Sequence, residues 1–151
     1  MRYFLILSLS LLSFQINAQE LFVMTEPASN MPTSSIGVRD MSLFAFKKND
    51  GYNYHNMPEL MWGVNKDWMI HASAFLSNKQ GDLMLEGGSL YAKYRFFSVD
   101  DLHSHFRLAA YGRISTSNAE IHQEDIETMG MNSGYEIGAV ATQLINKTAL
   151  S

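Results

Sequence analysis

The sequence predicts an all-β fold: an antiparallel up-and-down transmembrane β-barrel, of which this chain carries an incomplete set of about six to seven strands. Three observations predict it. The chain opens on a secretory leader, its later segments alternate apolar and polar residues, and the connections between those segments alternate between short and long. In the leader, Met1 to Ala18, Arg2 is the positive start and Phe4 to Phe14 the apolar run. Ile16-Asn17-Ala18 then ends in a small residue suited to cleavage. This divides the chain into a signal peptide over 1–18, an N-terminal lead-in over 19–34 and a barrel part over 35–151.

The lead-in contains Pro27, Asn30, Pro32 and a Thr-Ser-Ser run, which predict little regular structure. Strands are then expected at Ser35 to Phe46, Met57 to Val64, Trp68 to Ser77, Gly88 to Phe97, His105 to Thr116 and Ser133 to Ile145, with a seventh starting at Thr148. The first strand is the least regular. Arg39 and Asp40 are adjacent and must face opposite ways unless a bulge intervenes. In the second, Leu60, Trp62 and Val64 oppose Glu59 and Met61. In the third, Trp68, Ile70, Ala72, Ala74 and Leu76 form one apolar row opposite His71 and Ser73. The fourth sets Leu90, Ala92, Tyr94 and Phe96 against Ser89, Tyr91, Lys93 and Arg95. The fifth sets Phe106, Leu108, Ala110 and Ile114 against His105, Arg107, Tyr111 and Arg113. In the sixth, Tyr135, Ile137, Ala139 and Ala141 oppose Glu136, Gly138 and Thr142.

The connections expected from these bounds are Lys47 to Asn56, Asn65 to Asp67, Asn78 to Gly87, Ser98 to Ser104, Ser117 to Asn132 and Asn146-Lys147. Barrels of this class turn tightly on the periplasmic side and loop out on the other, so the first, third and fifth would face outward. Trp62, Trp68, Tyr94, Phe96 and Phe106 fall near strand ends, where aromatic girdles meet the membrane interface. Six strands and the start of a seventh fall short of the roughly eight expected of a bacterial barrel. The expectation is therefore that the chain is the N-terminal part of a longer protein.

Composition narrows the function. Removing Arg2 with the leader leaves 10 basic against 15 acidic side chains, a mature charge near −5. Nothing in that balance calls for nucleic acid, whose phosphates require a basic surface. The absence of cysteine excludes disulfides, thiolate metal sites and cysteine nucleophiles. Beyond the leader no apolar run reaches the roughly 18 residues of a spanning helix, so any membrane crossing is by strands. No Gly-x-Ser-x-Gly elbow and no phosphate-cradling glycine spacing occurs, and neither an enzyme nor a cofactor is expected.

The runs Ser35-Ile36-Gly37-Val38-Arg39, Tyr54 to Glu59, Met61 to Lys66, Glu86 to Phe96, His105-Phe106-Arg107 and Asn132 to Glu136 cover much of the mature chain. Through them, most specifically through Tyr91 to Phe96 and Asn132 to Glu136, the sequence resembles a group of uncharacterised outer-membrane β-barrel proteins of Bacteroidota-type bacteria. The resemblance implies a single-domain barrel about twice this length. It supports the fold and an outer-membrane location, carries no catalytic motif over and leaves the cargo open; outer-membrane lipid, the barrel-assembly machinery and small solutes are the partners expected of such a barrel.

The charges expected to face the lumen are Arg39, Glu59, His71, Lys93, Arg95, Arg107, Arg113 and Glu136. Two readings compete. Lys93, Arg95, Arg107 and Arg113 on two adjacent strands could line an anion-preferring pore or transporter path. Alternatively, Glu59 and Glu136 neutralise them inside a packed interior. His103 and His105 beside Asp100 and Asp101, and His122 beside Glu124 and Asp125, are candidate metal ligands for a metal-related outer-membrane protein. They fall on opposite ends of the expected barrel and read better as solvated loop polars. The methionines read as packing. The rival fold is a soluble periplasmic or surface β-sandwich with a binding role, which would bury its apolar faces between two sheets.

Overall fold

A computed structural model describes residues 26–46, 51–78, 81–102, 104–118, 131–145 and 148–151. The leader and the first part of the lead-in lie outside them. The described residues form one antiparallel sheet without helices, in the order β1 (Ser35–Phe46), β2 (Tyr52–Gly63), β3 (Trp68–Ser77), β4 (Met84–Asp100), β5 (Ser104–Ser117), β6 (Gly134–Ile145) and β7 (Thr148–Leu150). Each strand pairs with the next in sequence, so the sheet is an up-and-down meander. It is not closed. β1 and the three-residue β7 are its edges, and no pairing joins them.

β1 and β3 have the bounds their alternation predicts, whereas β2 and β4 start earlier than expected. Tyr52 to Asn56 reads as loop because of its polar residues, yet these pair with Phe46 to Ser42 in unbroken register. Their polar groups bond across the strands: Asn56 Nδ2 donates to Asp40 Oδ1 at 2.8 Å and to Ser42 Oγ at 2.9 Å. In β4 the glycines 87 and 88 are not a strand start but lie beside a bulge. Phe75 pairs with Gly87 and Leu76 with Leu85, leaving Glu86 as the extra residue. The connections 47–51 and 78–83 are therefore shorter than the sequence suggests, and 118–133 is the one long excursion. Arg39 and Asp40 do face opposite ways, with no bulge between them.

The two faces of the sheet have inverted polarity. Leu60, Trp62, Leu90, Ile114, Tyr135 and Ile137 are exposed, the last at 86%, while Glu59, His71 and Lys93 are buried. The exposed face is ordered along the strands. At the β2–β3 and β4–β5 turns it carries Trp62, Trp68, Tyr94, Phe96 and Phe97, with the rings of Trp68 and Tyr94 stacked at 4.7 Å. At the opposite end it carries Phe44, Phe46, Tyr52 and Tyr54, with Phe44 against Tyr54 at 4.7 Å. Val38, Leu60, Ile70, Ala72, Leu90, Ala92, Ile114 and Ile137 lie between. One polar patch interrupts them, Asp40, Ser42 and Asn56 on the β1–β2 edge, which satisfies its own hydrogen bonds.

The other face is covered by the chain's own segment 26–34. Ala28 packs against Ala109 and Val140, and Met31 against Met69, Tyr91 and Tyr111. A third apolar cluster joins Met57, Phe75 and Met131. The segment enters β1 through Ser34, whose φ of 60° is left-handed and whose N–H donates to Gly63 O at 2.6 Å. Gly63 has to be glycine, because a Cβ there would run into the Pro32 carbonyl.

Gly138 is open to a different test. It pairs with Tyr111, whose ring lies over it, and a Cβ would come within 2.7 Å of the ring's hydroxyl end. Gly138→Val should displace Tyr111 and destabilise the sheet by roughly 1–3 kcal/mol. Gly112→Ala, whose Cβ would lie 3.7 Å from its nearest neighbour, should change the urea midpoint little. Equal midpoints for the two variants would refute this packing.

Candidate functional site

The eight charged residues singled out in the sequence all lie on the covered face, because the period-two alternation of each strand sends them there together. Their partners differ from those expected. Glu59 is not set against the β4–β5 cations: its Oε2 accepts from Arg39 Nε at 2.7 Å and its Oε1 lies 2.9 Å from His71 Nδ1. Cross-strand register explains this, since Arg39 and Glu59 are direct partners and Ser73, next on the same face to His71, pairs with Glu59 from the other side.

Lys93 is fully enclosed. Its ammonium donates to Pro27 O at 2.6 Å and Ser29 O at 3.0 Å, and stands 3.7 Å from Glu26 Oε2. An ammonium removed from water needs such compensation, and every hydrogen bond it makes here goes to the N-terminal segment. Arg107 also reaches that segment, through Ser29 Oγ at 2.9 Å, and pairs with Asp100 at 2.9 Å. Arg95 turns toward the β2–β3 connection, bonding Lys66 O at 2.5 Å and standing 3.7 Å from Asp67. Glu136 accepts from Tyr111 Oη at 2.9 Å and is the cross-strand partner of Arg113.

Between these groups lies a cavity of about 30 Å³, room for a water or two. Glu26, Arg39, Glu59, His71, Tyr91 and Arg113 are among its lining residues. Tyr91 forms its floor, its ring between those of His71 and Tyr111 at 5.0 and 5.7 Å. Ser73 and Ser89 close one side with hydroxyls 2.6 Å apart.

Sequence reasoning missed Glu26, Asp67 and the docking of 26–34. The one available signal was Glu26 itself, the acid next to the first lead-in proline. Of the candidate metal ligands, His103, His122 and Glu124 lie outside the described residues. His105 Nδ1 shares Asp100 Oδ1 with Arg107, at 2.8 Å, which makes the pair part of a turn-end ion cluster. No group of three or more metal-binding side chains occurs among the described residues.

No protein-family model, curated protein or solved structure matches this chain.

Two substitutions read the network. Glu59→Gln removes the charge that Arg39 and His71 share and should destabilise by roughly 1–3 kcal/mol, a buried-pair loss reduced because Arg39 is about one-third exposed. Lys93→Met fills the same volume but leaves two backbone carbonyls of 26–34 without their donor. Hydrogen exchange should then rise at Ala28, whose N–H bonds Thr142 Oγ1, before it rises in β3 to β5. Uniform acceleration across the sheet would show that Lys93 does not hold this segment.

Proposed function

We propose that the chain is part of an outer-membrane β-barrel whose exposed face meets lipid and whose covered face is its interior. That interior is filled by paired charges and the N-terminal segment rather than open as a fixed pore. The observation that carries the reading is the inverted polarity of the sheet, with an apolar face outside between two rows of aromatic rings and fully buried Lys93 inside. A water-facing sheet has no reason to expose Ile137 at 86% while enclosing an ammonium. The leader expected over 1–18 supports export, and the resemblance to Bacteroidota-type barrels supports the same location. Insertion would use the barrel-assembly machinery. In lipid, the open edges β1 and β7 would need pairing partners.

Lys93 and Arg107 are engaged by segment 26–34 and Arg95 by the β2–β3 connection, so the interior reads as solute-handling only when such contacts are released. An anion path lined by unpaired cations is not the arrangement present. The soluble sandwich is the weaker reading, since it would cover the apolar face with a second sheet, and among the described residues that face is uncovered.

Ile137→Arg tests the reading. At a lipid-facing position near the midplane it should cost roughly 2–4 kcal/mol and deplete the heat-modifiable band in the outer-membrane fraction. A soluble sheet would accept Ile137→Arg within about 0.5 kcal/mol, and that result with no membrane-fraction band would refute the proposal.

Orientation has its own test. An epitope after Ala119 should be reached by antibody on intact cells, and one at Asn65 only after permeabilisation. The reverse pattern would invert the barrel.

A further inference from the structure

One carboxylate on the covered face is gripped by side chains from three different strands. Glu26 Oε1 lies 3.1 Å from Arg39 Nη1 on β1, and Glu26 Oε2 lies 3.7 Å from both His71 Nε2 on β3 and Lys93 Nζ on β4. The two sides of this contact are built differently. Arg39, His71 and Lys93 sit on paired strands, and Glu59 orients two of them from behind, one carboxylate oxygen to each. Glu26 belongs to a segment with no strand pairing, held by a few side-chain and backbone bonds.

His71 Nε2 is buried, makes no hydrogen bond and lies 3.7 Å from the carboxylate, so the receptor retains a ring nitrogen that Glu26 leaves unsatisfied. Lys93 has lost all contact with water. The cavity beside them leaves space next to the bound group. A preorganised receptor holding a guest from an irregular segment is the arrangement of a ligand site occupied by the chain itself.

We propose that Arg39, His71 and Lys93 form a binding site for small carboxylates, and that Glu26 occupies it as the chain's own stand-in ligand. Arg39 takes one carboxylate oxygen through its guanidinium and Lys93 takes the other, where His71 also donates when its ring carries both protons. Release of 26–34 opens the site, and a solute carboxylate competes with Glu26 for it. The inference rests on the reading of this face as a barrel interior for what the site serves, but not for the site's existence.

The test is rescue of a deletion in the full chain. Glu26→Ala, refolded in detergent, is titrated with propionate, which replaces the side-chain carboxylate removed. Propionate should raise both the refolding yield and the thermal midpoint of Glu26→Ala saturably, and leave the unmodified protein unmoved. Sodium chloride at equal ionic strength should do neither, and adding Lys93→Met should abolish the response. Refolding yield keeps the result readable if the variant folds poorly. Equal effects of propionate and chloride, or rescue that survives Lys93→Met, would overturn the proposal. The readout does not depend on membrane insertion, so failed rescue leaves the outer-membrane reading intact and failed fractionation leaves the carboxylate site intact.

Discussion

The enclosed ammonium of Lys93 is the constraint on which the rest of the structure depends. A charge removed from water is costly unless hydrogen bonds and an opposite charge replace its hydration. The strands around Lys93 supply neither, since its cross-strand partners are Met69 and Tyr111, whose hydroxyl donates to Glu136 instead. Pro27 O, Ser29 O and Glu26 supply both. The N-terminal segment is therefore needed at this spot although no strand ladder recruits it. Its small apolar contacts, Ala28 on Ala109 and Val140, and Met31 on Met69, let it lie close enough for its carbonyls to reach.

The same alternation that buries Lys93 exposes its neighbours. Because successive side chains in a strand point oppositely, sending Tyr91, Lys93 and Arg95 inward sends Leu90, Ala92 and Tyr94 outward. One register choice thus creates both a charge-filled interior and an apolar exterior, and a one-residue slip would reverse both together. The aromatic rows at the two ends follow from strand length. The strands are long enough for an aliphatic band with a ring-bearing position beyond it on each side, at Trp68 and Tyr94 and at Phe44 and Tyr54.

Face assignment was legible in the sequence because it needs only parity within a strand, and for β3 to β6 parity is unbroken over the central residues. Ends were less legible. Tyr52 to Asn56 resembles a turn by composition, and only its cross-strand bonds to Asp40 and Ser42 make it a strand. Gly87 and Gly88 resemble a boundary, but they mark a bulge, a feature set by neighbouring strands rather than local preference. The candidate site was half legible. Its strand-borne members follow from parity, while Glu26 is far from them in sequence and in a segment without periodicity. Partner choice was illegible for a related reason: Arg95 and Arg107 bond the nearby turn residues Lys66 and Asp100, and turn geometry is not encoded in alternation.

The distribution of these pairs bears on what the interior can do. Arg95 with Asp67 and Arg107 with Asp100 lie at the turn end, where the two carboxylates come from positions 37 to 49% exposed and their pairing is weakened by solvent. Farther along the strands, Arg39, Glu59 and His71 are tied into one shared unit, and a change at any of them is felt by the others. Glu26 touches that unit from the irregular segment 26–34. Movement of 26–34 leaves the Arg39–Glu59–His71 unit bonded within itself, but takes Glu26 from Arg39, His71 and Lys93, the two carbonyls from Lys93 and the Ser29 hydroxyl from Arg107. The position that Glu26 leaves lies between Arg39, His71 and Lys93, which favours a single anionic group binding there over a continuous anion path along the sheet.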